Sequence, residues 1–160
     1  MALRELLRDF FQPPEGRRVV LVGIGSPIRH DDAVGLRVLE LLEGRVPENV
    51  LLLETEIVPE SYTGAIRDFS PSHVLLLDAA NFGGKPGEAR IVPPSMIANV
   101  SVSTHSLPLN LFIDYVKKSI CERVALLGIQ GVDISLGEGL SPEVERGARL
   151  IADAILDALE

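Results

Sequence analysis

The chain has 160 residues, 46% of them hydrophobic, with a formal net charge of −8 and one cysteine, Cys121. Its size suits a single core, and an acidic balance with no run of Lys or Arg excludes nucleic acid or an anionic membrane surface as the main partner. The lone cysteine excludes an internal disulfide and a multi-cysteine metal cluster, and the strand-sized apolar runs and charged N-terminus point to a cytoplasmic chain without direct membrane insertion.

Leu3, Leu6, Leu7, Phe10 and Phe11 recur at helical spacing, so residues 1–17 are read as an amphipathic helix and a linker broken by Pro13-Pro14. Residues 18–160 are read as one domain. Arg18 to Gly23 is a continuous β-branched run, as expected of a strand buried on both faces. A helix is expected from about Asp32 to Glu43, with Val34, Val38, Leu41 and Leu42 inward. A strand from Val50 to Glu54, a short helix from Ser61 to Asp68, and a strand from His73 to Ala79 that ends in Asp78 follow. Beyond the glycine-rich turn 82–87, Glu88 to Val92 makes a fourth strand, and a loosely patterned segment leads to Ser103-Thr104-His105-Ser106. A helix over Leu107–Ser119, a strand over Arg123–Ile129, an acidic glycine-rich loop and a final helix ending at Leu159 complete the pattern. Ser141 is the expected N-cap of that helix, with Pro142 at its first position. Strands alternating with helices predict a three-layer α/β fold: a mostly parallel, twisted five-stranded sheet with helices on both faces.

In such sheets ligands bind beyond the carboxyl ends of the strands, where strand order reverses. Three chemistry-bearing residues fall at that edge. Asp32 follows the first strand, Asp78 ends the third, and His105 precedes the fourth helix of the pattern. Two carboxylates and an imidazole form a mixed oxygen and nitrogen set suited to a divalent transition metal with open positions. Each residue has a plainer reading: an aspartate caps helices and starts turns, and His105 could cap a helix. Capping does not explain two adjacent aspartates, so Asp31 is assigned to the helix start and Asp32 to the site. His30 and His73 read as exposed, and Cys121 as an inert thiol. Gly23-x-Gly25 is only half a dinucleotide fingerprint, because position 28 is Ile. An acidic pocket of this kind also occurs in phosphoacceptor receiver domains, which need a Lys at the end of the fifth strand. Here that place reads Gly128-Ile129-Gln130-Gly131.

These motifs resemble the hydrogenase maturation endopeptidases, which trim the C-terminal extension from [NiFe] hydrogenase large subunits. The resemblance rests on Gly23-Ile24-Gly25-Ser26, Asp31-Asp32-Ala33-Val34-Gly35, Leu75-Leu76-Leu77-Asp78-Ala79 and Thr104-His105-Ser106-Leu107-Pro108. Gly87-Glu88-Ala89-Arg90-Ile91 and Leu126-Leu127-Gly128-Ile129-Gln130 are similar to members serving formate-hydrogenlyase-type, membrane-bound hydrogenases. The resemblance implies that Asp32, Asp78 and His105 are the metal-contacting and catalytic trio. It implies nickel carried by the substrate, no permanently bound cofactor, and the large-subunit precursor as partner. The chain departs from the family where Ser26 replaces Asn, Ala33 replaces Gly, and Glu54-Thr55-Glu56 replaces an Asp-Gly-Gly turn. A non-enzymatic receiver-like or metal-dependent binding module is the alternative, and a relative without activity a third. Oligomeric state is not legible in the sequence.

Overall fold

The computed structural model describes residues 2–102 and 107–160. Five strands form one sheet: β1 (Val19–Ile24), β2 (Val50–Glu56), β3 (His73–Ala80), β4 (Ala89–Val92) and β5 (Arg123–Gln130). Their order is β2-β1-β3-β5-β4. All neighbours are parallel except the edge strand β4, which runs antiparallel to β5. The chain winds from β1 to one side and then returns to the other with β3, so strand order reverses between β1 and β3. The expected three-layer α/β architecture is the one observed.

Side-chain alternation along each strand divides the core into two faces. Leu21, Leu75, Leu77 and Leu127 pack beneath α1 (Leu3–Phe10), α2 (Val34–Leu42) and α6 (Pro142–Ala158). Val22, Leu76, Val124 and Leu126 pack beneath α3 (Thr63–Asp68), α4 (Ile97–Val100) and α5 (Leu109–Ser119). Complete burial of β1 and β3 explains their unbroken apolar runs, since neither face meets water. The loosely patterned segment before residue 103 contains α4, whose Ile97 and Val100 enter the second face of the core. Four residues are too few for a periodic signal in sequence.

The N-terminal helix joins the first face: Leu7 and Phe11 are wholly buried in it. The Arg17 guanidinium then donates to the carbonyls of Phe11 (3.1 Å) and Leu159 (2.8 Å), tying both chain ends together. His73, expected to be exposed, is 1% accessible. It lies edge-on to Phe10 and Phe11, and its Nε2 donates to the Gln12 carbonyl at 2.8 Å. Its partners arrive from the N-terminal segment, 61 residues earlier. Burial pushes the His73 pKa below its ordinary value of 6.5; the bond to Gln12 opposes this, and the Arg123 and Arg17 charges add to it.

Candidate active site

The turn from β1 to α2 does not open directly into an α-helix. His30–Ala33 forms a 3₁₀ turn, and α2 begins at Val34. Two glycines make this tight path. A Cβ on Gly25 would lie 1.9 Å from the Asp32 carbonyl oxygen, and one on Gly35 would lie 2.2 Å from the Leu77 carbonyl oxygen. Gly25 also has a φ of 142°, outside the comfortable range of other residues. Removing side chains at these positions lets α2 press onto the ends of β1 and β3, and the 3₁₀ turn contacts β3 directly. Asp32 therefore sits three residues before the backbone that touches Leu77, and Asp78 is the next residue along β3.

Both carboxylates are almost sealed, at 2% exposure each. The Ser26 amide donates to Asp32 Oδ2 at 2.8 Å, so the glycine turn itself orients that group. Asp78 lies level with Gly128 of β5, and its Oδ1 accepts from the Ala79 amide at 2.9 Å. It shares the face of Val74, Leu76 and Ala80, the side covered by α3, α4 and α5. Burying carboxylates at a strand end has a desolvation cost, which positive or hydrogen-bonding partners must offset. Among the described residues no group of three His, Cys, Asp or Glu side chains converges as a metal cage. The third expected ligand, His105, lies outside the described residues. Asp32 and Asp78 thus lie on two elements that touch at the carboxyl edge of the sheet.

Asp31 does not cap the helix. Its Oδ2 accepts from the amides of Val132 and Asp133, both at 2.9 Å, and from the Ser141 hydroxyl at 2.8 Å. Its Oδ1 accepts from the Ser141 amide at 2.7 Å. Burial acts to raise the Asp31 pKa, but the bonds from Asp133, Ser141 and Val132 together hold it below the ordinary 3.8. Ser141 does occupy the N-cap position of α6, with Pro142 in the first turn as expected, but its side chain makes no capping bond, because the hydroxyl is turned to Asp31. The adjacent aspartates thus differ in role within the fold: Asp31 anchors a distant loop, while Asp32 accepts from the glycine turn.

Two more polar residues shape the edge. Gln130, at the place where a receiver domain needs Lys, accepts from the Phe82 and Gly84 amides at 2.9 and 3.2 Å and donates to the Gly131 carbonyl at 2.9 Å. Thr55 is buried and donates to the Gly23 carbonyl at 3.2 Å. The sequence signal for Gln130 was its position at a strand end, and that for Thr55 its place in the Glu54-Thr55-Glu56 departure from the family turn. Beside it the Glu54 carboxyl is pushed up by burial and by Glu40, Glu43 and Glu56. The Cys121 thiol is also raised by burial, which suits an unreactive group.

A doubly wound α/β sheet with two buried carboxylates at its switch point defines an α/β protein with a candidate acidic site at the carboxyl edge, where such folds bind their ligands. Comparison narrows it. Residues 36–158 match the family model described as hydrogenase maturation protease. The chain is 37% identical to the hydrogenase 3 maturation protease of Escherichia coli, over 69% of this chain and 71% of the relative. It is 30% identical to a Methanocaldococcus jannaschii protein provisionally named a hydrogenase maturation protease, over 99% and 96% of the two chains. The crystal structure of a [NiFe] hydrogenase maturation protease, HycI, from Thermococcus kodakarensis superposes with a TM-score of 0.84 at 37% identity, covering 96% of this chain and 98% of that one. The chain belongs to the hydrogenase maturation protease family and is a peptide hydrolase.

Proposed function

We propose that this enzyme removes the C-terminal extension from the nickel-loaded precursor of a [NiFe] hydrogenase large subunit. Asp32, Asp78 and His105 recognise the nickel held by that substrate. The observation that carries the reading is the placement of two sealed carboxylates on adjoining elements at the switch point, in a chain of this family. Carboxylate and imidazole donors suit a borderline divalent ion. Nickel carried by the precursor adds a positive charge that these carboxylates attract, so docking is coupled to loading. The nickel arrives and leaves with the precursor, and no resident cofactor is invoked. In the cleavage step a water adds to the scissile carbonyl carbon, the C–N bond breaks, and the amine leaves with a proton. An aspartate at the edge orients that water as general base. Residues 18–160 form the processing domain, onto which the segment 1–17 is docked, and the reaction belongs to the cytoplasm.

The test is incubation with nickel-loaded and nickel-free precursor, followed by intact mass measurement. Shortening of the loaded form alone is expected. Equal shortening of both would contradict the nickel gate, and an intact loaded form would contradict processing of this precursor.

A further inference from the structure

The loop between β5 and α6, residues 131–141, has two properties that rarely coincide. It is held rigidly, and it exposes large apolar side chains. Beyond Gly131, its anchoring to the rest of the fold comes from the residues just before Asp32. Asp31 takes four hydrogen bonds from Val132, Asp133 and Ser141, and its amide donates to the Asp133 carbonyl at 2.8 Å. The His30 amide donates to the Gly137 carbonyl at 2.9 Å, and His30 Nδ1 lies 2.9 Å from the Gly139 carbonyl. The Gly137 amide in turn donates to the Ile28 carbonyl at 2.9 Å. Space is fitted as closely as the polar groups, since a Cβ on Gly137 would fall 2.1 Å from the His30 ring. His30 itself has a φ of 41°, a conformation unfavourable for a residue with a side chain and tolerated where neighbours enforce it.

This framework displays Val132 at 60% and Leu136 at 72% exposure, beside Ile28 at 54%. Exposed single apolar residues are ordinary; three on one immobilised ridge beside a buried acidic site favour contact with a partner. Val132 and Leu136 lie on a loop that could have been polar at no cost to the core.

We infer that residues 131–141 form a substrate lip, in which Ile28, Val132 and Leu136 receive apolar side chains of the extended precursor segment beside the scissile bond, and that Asp31 is the positioning residue holding this lip in register with Asp32. The occupant is the substrate polypeptide because the lip is hydrogen-bonded to Ile28, His30 and Asp31 of the same β1–α2 turn that carries Asp32, so it borders the place where we read cleavage to occur. This rests on the reading of the Asp32 and Asp78 edge as the place of cleavage.

Steady-state cleavage of nickel-loaded precursor tests the lip. Val132→Ser/Leu136→Ser alters only exposed side chains and is expected to fold normally, raise KM about tenfold and change kcat less than about twofold. Val132→Ile/Leu136→Met should restore the wild-type KM. Asp31→Ala should raise KM more than it lowers kcat; a fall in kcat at constant KM would mean only a smaller folded fraction and would overturn the positioning role. An unchanged KM in the double serine variant would overturn the lip, including when sedimentation shows that the same change dissociates a self-associated form. Wild-type cleavage by Asp32→Asn would instead defeat the site reading, whatever the double variant does.

Discussion

Glu56 occupies the third place of a turn that is Asp-Gly-Gly in the family pattern, and its φ is 52°. A left-handed conformation costs a residue with a Cβ about 1 kcal/mol or more relative to glycine. Its backbone cannot relax freely, because the Gly25 amide donates to the Glu56 carbonyl at 2.9 Å where the β1–β2 register shifts. Glu56→Gly is therefore expected to stabilise the fold by roughly 1 kcal/mol, read as a higher denaturation midpoint with an unchanged slope. The sign for His73 follows from its lowered pKa. The unfolded chain binds a proton near pH 6.5 while the folded chain does not, so stability is complete above 6.5 and is lost as pH falls toward the folded value. Chemical denaturation between pH 7.5 and 5 should show this decline, and His73→Gln should flatten it. Neither residue was legible from sequence in this respect: His73 reads as a polar strand start until Phe10, Phe11 and Gln12 are folded against it.

The β1–α2 unit shows what element-scale patterns do and do not reveal. Unbroken apolar runs identified β1 and β3, and the reversal point between them placed Asp32 and Asp78 at one edge. Periodicity also gave the inward face of α2, where Val34, Val38 and Leu42 are buried. The 3₁₀ entry at His30–Ala33 was not visible, because its cause is contact between Gly35 and the Leu77 carbonyl in another strand. Asp31 and Ser141 each carried a helix-capping signature, yet they bond to each other across 110 positions. A side chain that can satisfy a local amide can equally satisfy a distant one, and sequence spacing does not separate the two. The glycine contact makes a direct prediction. Gly35→Ala would drive a methyl group into backbone, so a loss of about 3 kcal/mol is expected in equilibrium unfolding. An alanine variant as stable as the wild type would show that α2 can move off the strand ends.

Across the whole molecule, the fold serves one edge. Three helices seal the face of Leu21, Leu75 and Leu127, and three more seal the face of Val22, Leu76 and Leu126. With both faces covered, the carboxyl ends of β1 and β3 are left to the glycine turn and the loop beyond β5. The N-terminal helix contributes to this sealing through Leu7 and Phe11, which amphipathic spacing predicted without naming their partner. Family membership gives the reaction class, and the sheet edge is where we propose that the reaction takes place. The direct test of that location is the mass of nickel-loaded precursor after incubation with wild type, Asp32→Asn and Asp78→Asn, each first checked for a native unfolding profile. The account predicts a shortened product with the wild type and a rate at least roughly 100-fold lower with either variant. Processing at the wild-type rate by a folded Asp32→Asn or Asp78→Asn would contradict it.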